Sequence, residues 1–110
     1  MHSDNTSTVG AIHSTFAADE SMAELVEMFV EEIPARIETL LQAFQAEDME
    51  LLHRTAHQLK GAFGSYGFDV ATEPARRLEH SVLNEPANRD AIGHQLDHLI
   101  ALCHRMTAMP

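Results

Sequence analysis

With 110 residues, 45% of them hydrophobic, the chain has enough apolar side chains for one core and the length of one domain. Seventeen acidic residues against seven basic ones give a formal charge of −10, which repels phosphate backbones and anionic lipid and so argues against nucleic-acid or membrane binding. The single Cys103 has no intramolecular partner, Met1–Gly10 lacks the basic start and apolar middle of a secretory signal, and no apolar run approaches the roughly 20 residues of a membrane helix, so a soluble, monomeric protein of the reducing cytoplasm is expected.

Residues 1–18 are rich in Ser, Thr, Asn, Asp and Gly and read as a mobile N-terminal arm, with Ile12 and Phe16 its points of order; residues 19–110 read as the folded domain. From Asp19 or Ser21, the spacing of Met22, Leu25, Met28, Phe29 and Ile33 predicts a first helix, with Ser21 and Glu24 spaced as a capping box. Pro34 suits the first turn of a second helix, whose apolar stripe is Ile37, Leu40, Leu41 and Phe44. Asp48 can cap a third helix that buries Met49, Leu52, Ala56, Leu59, Ala62, Phe63 and Tyr66 and weakens at Gly64 and Gly67. A fourth helix is expected over 69–83 with Val70, Leu78, Val82 and Leu83 inward, and Pro74 marks either a late start or a kink. A fifth carries Ile92, Leu96, Leu99, Ile100, Cys103 and Met106. No strand-like alternation is present. The expected fold is all-α: an antiparallel four-helix bundle with an additional N-terminal helix packed over one end.

The third helix holds the informative residues. At about 100° per residue, His57 lies about 160° around the axis from the buried Leu59 and should face water, with His53, Arg54, Lys60, Gly61 and Gly64 within about 60° of it. This face is basic or small at every step in an otherwise acidic protein. Each glycine costs about 1 kcal/mol relative to alanine inside a helix, so some compensation is expected: clearance for a partner approaching the imidazole, or close helix packing, unless Gly64 simply begins the C-terminal fray of the helix. Lys60, one turn from His57, can offset negative charge on a group carried by the ring. A neutral imidazole is a nucleophile at one nitrogen when the other is held by an acceptor. Glu79, beside the core residue Leu78, is a candidate for that hold, the alternative being an exposed acid paired with Arg76 or His80.

The string Ala56-His57-Gln58-Leu59-Lys60-Gly61-Ala62-Phe63-Gly64-Ser65-Tyr66-Gly67-Phe68 resembles the phosphorylation-site motif of the histidine-containing phosphotransfer (HPt) domain family, H-x-L-K-G followed by glycines three and six residues later. Phe29 to Pro34 looks like the family's junction between its first two helices, and Leu78-Glu79 like its fourth-helix L-E pair, so the resemblance covers residues 20 to 107 or so. It implies a phosphorelay intermediate: His57 Nε2 accepts a phosphoryl group from a receiver aspartate, or from a kinase in trans, and passes it to another receiver. Lys60 would steady the phosphoryl, Gly61 and Gly64 would give clearance, and Glu79 would orient the ring. Arg54, Gln58 and Phe68, with Met28 and Ile37, are candidate docking residues. The implied partners are response-regulator receiver domains and a hybrid or chemotaxis-type histidine kinase. No cofactor or metal of its own is implied, Mg²⁺ being expected on the receiver, and the chain itself would be a phosphocarrier, not an enzyme. Pro74 departs from the family pattern, in which the fourth helix runs on.

Two other functions fit parts of the sequence. A helical adaptor would bind receivers without carrying phosphate. The i, i+4 pairs His53/His57 and His94/His98 would each suit one metal ion, although His94-Gln95-Leu96-Asp97-His98 lacks the glutamate of a hydrolytic zinc helix.

Overall fold

A computed structural model of the chain describes residues 10–110. The N-terminal arm expected over residues 1–18 therefore lies partly outside the described residues.

The first long helix, α1, spans Glu20–Gln45, with Asp19 at its N-cap. The expected Ser21–Glu24 capping box is replaced by Asp19, whose Oδ1 accepts from the Ser21 amide at 2.9 Å and the Ser21 hydroxyl at 2.6 Å. The break expected at Pro34 is absent: the two helices predicted on either side of it are one, and the separate helix over the end of the bundle is the first half of α1. The reason lies in the buried stripe. Val26, Phe29, Ile33, Ile37, Leu40 and Ala43 follow one another at steps of three and four, in phase straight through the proline. Interior proline costs a helix about 3 kcal/mol, against about 1.5–3 kcal/mol gained by each large apolar side chain fully buried. Pro34 itself is exposed, so the backbone defect sits on the solvent side while the stripe stays continuous. The same phase corrects the expected core: Val26 is fully buried, whereas Leu25 and Met28 are 45% and 52% exposed.

Helix α2 spans Met49–Ser65, and Asp48 caps it as its position predicts, accepting from the Leu51 amide at 3.1 Å. Leu52, Ala56, Leu59 and Phe63 are buried, and Phe63 meets Phe29 of α1 edge to face with ring centroids 6.0 Å apart. The helix ends at Gly67, whose φ of +82° lies in the left-handed region, and the Phe68 amide reaches back to the Phe63 carbonyl at 2.8 Å, closing the end as a Schellman motif does. A single 3-10 turn, Asp69–Ala71, leads into α3, Thr72–Asn84. Pro74 thus sits in the first turn of α3, where its missing N–H has no helical acceptor, and the late start is the form adopted. Val70 and Leu83, expected inward, are exposed; Ala71, Ala75 and Ser81 take the buried positions with Leu78 and Val82. Helix α4, Arg89–His104, is capped by Asn88, which accepts from the Ala91 amide at 3.2 Å, and buries Ile92, Leu96, Leu99, Leu102 and Cys103. Burial pushes the Cys103 thiol up to about 12, which leaves it an unreactive core side chain.

Four helices packed around one core make this an all-α bundle, with α2 and α3 the most extensively packed pair. One feature departs from a purely helical chain. Strand β1, Ile12–His13, pairs in parallel with β2, Met106–Thr107, in the register Ile12 to Met106, and this pairing takes Met106 out of the last helix. Two residues are too few to leave an alternating signature in the sequence. Beyond β1, Ser14 and Ala17 are buried and Phe16 half-buried. The Ser14 hydroxyl donates to the Tyr66 carbonyl at 2.6 Å and the Thr15 amide to the Gly67 carbonyl at 2.9 Å, which straps the N-terminal segment across the end of α2.

Candidate functional site

The α2–α3 seam brings the chemistry-bearing residues together. His57 is on the outer face of α2, its side chain 61% exposed, as its rotation from Leu59 predicts. Across the seam, Glu79 follows the fully buried Leu78 and is itself only 14% exposed, so its carboxylate is held at the boundary between core and solvent. Its Oε2 lies 2.6 Å from His57 Nδ1 and its Oε1 2.8 Å from Lys60 Nζ. The other partners open to Glu79 in the sequence are occupied elsewhere: Arg76 pairs with Glu73 at 2.8 Å, and His80 faces Asn84.

Burial raises the Glu79 pKa, but the hydrogen bonds from Lys60 and His57 and their positive charge outweigh it, and the net shift is downward. Glu79 is therefore an ionised acceptor, and a carboxylate with no proton can only receive a hydrogen bond, so the proton between them belongs to His57 Nδ1. That fixes the tautomer and leaves Nε2 with its lone pair on the exposed part of the ring. The arrangement suits a nucleophile that must meet a reaction partner from outside.

Gly61 and Gly64 lie on the same face, one and two turns beyond His57. A Cβ built on either would meet nothing within 4 Å, so close packing inside this domain does not account for them. Gly67 differs, since a Cβ there would lie 2.5 Å from Ser14 Oγ and 2.7 Å from Thr15 Oγ1. Arg54 and Gln58 are exposed on the same helix. Phe68 is 1% exposed and packs in the core with its ring tilted against Phe29, centroids 5.9 Å apart, which removes it from the expected docking residues; Ile37 is buried likewise. Both are apolar residues whose sequence positions do not distinguish a surface patch from a core.

Sequence reasoning left the surroundings of two residues incomplete. His53, placed on the His57 face and in a chelating pair, has its Nε2 3.5 Å from the same Glu79 Oε2, and its ring lies parallel to that of His57 within 10°, the centroids 6.3 Å apart. Its i, i+4 spacing from His57 is the signal, read for the wrong chemistry. Gly67 was visible as a helix end and as part of the glycine motif, but not as the crossing point of the strap, which comes from a distant part of the chain.

Among the described residues, no group of three or more His, Cys, Asp or Glu side chains is placed to hold a metal ion, and no helix is long and apolar enough to cross a membrane. No curated protein and no solved structure matches the chain. A scan of family profiles matches residues 24–108 to the Hpt domain. That span takes in α2, α3, α4, all but the first turn of α1 and the whole His57 site, and the chain accordingly belongs to the Hpt domain family, whose general role is histidine-mediated phosphotransfer in two-component signalling.

Proposed function

We propose that the chain is a phosphorelay intermediate whose phosphorylated residue is His57. The observation that carries this reading is the exposed imidazole with Nδ1–H held by an ionised carboxylate at 2.6 Å, which presents Nε2 outward. Nε2 attacks the phosphorus of an aspartyl phosphate on a receiver domain; the N–P bond forms as the P–O bond to the aspartate breaks, and its electron pair returns to the carboxylate. The Nδ1 proton stays on the ring, which becomes cationic, and Glu79 offsets that charge. Reversal onto a second receiver discharges the phosphoryl.

Lys60 rests on Glu79 Oε1 with its side chain 28% exposed. Its flexible stem lets the ammonium turn to the arriving phosphoryl while His57 keeps Glu79 in place. Gly61 and Gly64 leave the clearance a receiver needs, and Arg54 and Gln58 flank the contact. The receiver brings the Mg²⁺ and the acidic pocket; a hybrid kinase, or a chemotaxis-type kinase acting in trans, charges the system. Catalysis in such a pair belongs to the partner, and the reducing cytoplasm is the compartment that suits it.

The test is transfer of labelled phosphate from a pre-phosphorylated receiver to the wild type and to His57→Gln. Label on the wild type alone, stable to base and lost in acid, is the expected result. A folded wild type that takes no label from several receivers yet binds them would make the chain an adaptor and refute the relay.

A further inference from the structure

The groove between α3 and α4 departs from the charge of the rest of the molecule. Two adjoining clefts of about 320 Å³ and 160 Å³ share Arg77 and Gln95 as walls, so they form one groove along the seam. Arg76 and His80 line its larger part, His94 and His98 the smaller. The chain has a formal charge of −10, yet among the described residues Glu73 is the one acid lining this groove. Two guanidiniums share that carboxylate, Arg76 at 2.8 Å and Arg77 at 3.5 Å, which leaves the groove with net positive charge. We propose that the groove is a second docking site, separate from the His57 face, and that it takes an acidic peptide segment of a partner protein. The inference stands whether or not His57 carries phosphate.

Arg77 is the centre of the site. Its side chain is 71% exposed, and the Glu73 oxygen at 3.5 Å falls outside hydrogen-bond geometry, so its planar fork is open to a carboxylate. On α4, His94 and His98 stand one turn apart, the spacing of a chelating pair. They share their cleft with the Arg77 guanidinium, and no third ligand is placed to complete a metal site among the described residues. A fixed cation beside them disfavours a metal ion and favours an anion. Each imidazole has at least one N–H to donate in either protonation state. Asp97, the acid between them in sequence, is exposed about 160° around α4 from Gln95 and faces away from the groove. Gln95 indicates the class of partner, since its Oε1 is buried and accepts no hydrogen bond from this chain. A peptide brings backbone N–H donors for that oxygen together with carboxylates for Arg77. A phosphate backbone brings acceptors alone and is repelled by the acidic remainder of the surface. From Glu73 to Ser81 the groove follows about 12 Å of α3, a length that about four extended residues cover. Arg77 lies about 160° around α3 from Glu79, so a peptide held there leaves the imidazole of His57 open to a receiver.

The test uses the full chain and three fluorescein-labelled probes: a peptide with four consecutive glutamates, its glutamine counterpart, and a thymidine oligonucleotide with four phosphates. Fluorescence anisotropy should show saturable binding of the glutamate peptide, weakened by added salt, with the other two probes about tenfold weaker or worse. Arg77→Glu should lower the affinity for the glutamate peptide about tenfold. Arg36→Glu makes the same change of net charge on α1, away from the groove, and should lower it by less than about twofold. Amide NMR shifts on binding should centre on residues 73–81 and 94–98 and leave residues 57–64 unmoved. His57→Gln should bind the peptide as the wild type does, which keeps this result apart from the phosphocarrier reading. A wild type without saturable binding, an equal loss in the two charge variants, or shifts centred on His57 would each overturn the proposal. Tighter binding of the oligonucleotide than of the peptide would overturn it too, by giving the groove to a phosphate-bearing partner.

Discussion

Helix α2 and the turn that ends it use glycine for opposite reasons. At Gly61 and Gly64 the space beyond the backbone is open; at Gly67 it is filled by Ser14, Thr15 and Phe16, and the backbone is left-handed as well. The end of the helix is glycine because the fold demands it there. Within the helix, glycine comes at a cost to the fold, about 1 kcal/mol at the interior Gly61 and less at Gly64 in the last turn, with nothing in the domain packed against either to offset it. Only the second pattern points outward, to something that approaches the His57 face.

Substitution at each place breaks this contrast in a different direction. The largest effect is expected for Gly67→Ala, which combines a positive φ with overlap against the N-terminal strap: a loss of about 3 kcal/mol of unfolding free energy, read by urea denaturation. Gly61→Ala should instead stabilise the domain by up to about 1 kcal/mol, and Gly64→Ala, in the last turn, by a few tenths, while both slow phosphoryl transfer from a receiver. A Gly61→Ala protein that is more stable and transfers at the wild-type rate would remove the clearance role. The smallest effect concerns Glu79. Its folded-state pKa is depressed, so it contributes stability above the unfolded carboxyl value of about 4.3, and that contribution is lost as pH falls through the lowered folded value. The stability gap between wild type and Glu79→Gln should therefore be constant near neutrality and narrow below about pH 4, in denaturation curves taken across that range.

Legibility in the sequence followed the range of the physics involved. Asp48 and the face of α2 are local matters of capping and rotation, and they stand where spacing puts them. Pro34 was misleading because a local preference for a break was overridden by a core stripe already in phase on both sides of it; the steps from Val26 to Leu40 carried that information. The pairing of Glu79 with His57 depends on the register of α3 against α2, which no spacing within one helix specifies, and the place of His53 beside the same oxygen is a further consequence of that register. The strap over Gly67 and the two-residue bridge join segments more than fifty and more than ninety residues apart, beyond any periodic signal.

That bridge also bears on how the domain can be tethered. Residues 12 and 106 are paired neighbours, and residues 14 and 15 bond to the end of α2, so both ends of the folded body leave from one pole. Gly67 is ten residues from His57 along the helix, about 15 Å at 1.5 Å per residue. A receiver fused through a short flexible linker to either end would thus start at a similar distance from the imidazole. It would see the histidine at an effective concentration in the millimolar range, and the order of the two modules in the gene would matter little to how often they meet.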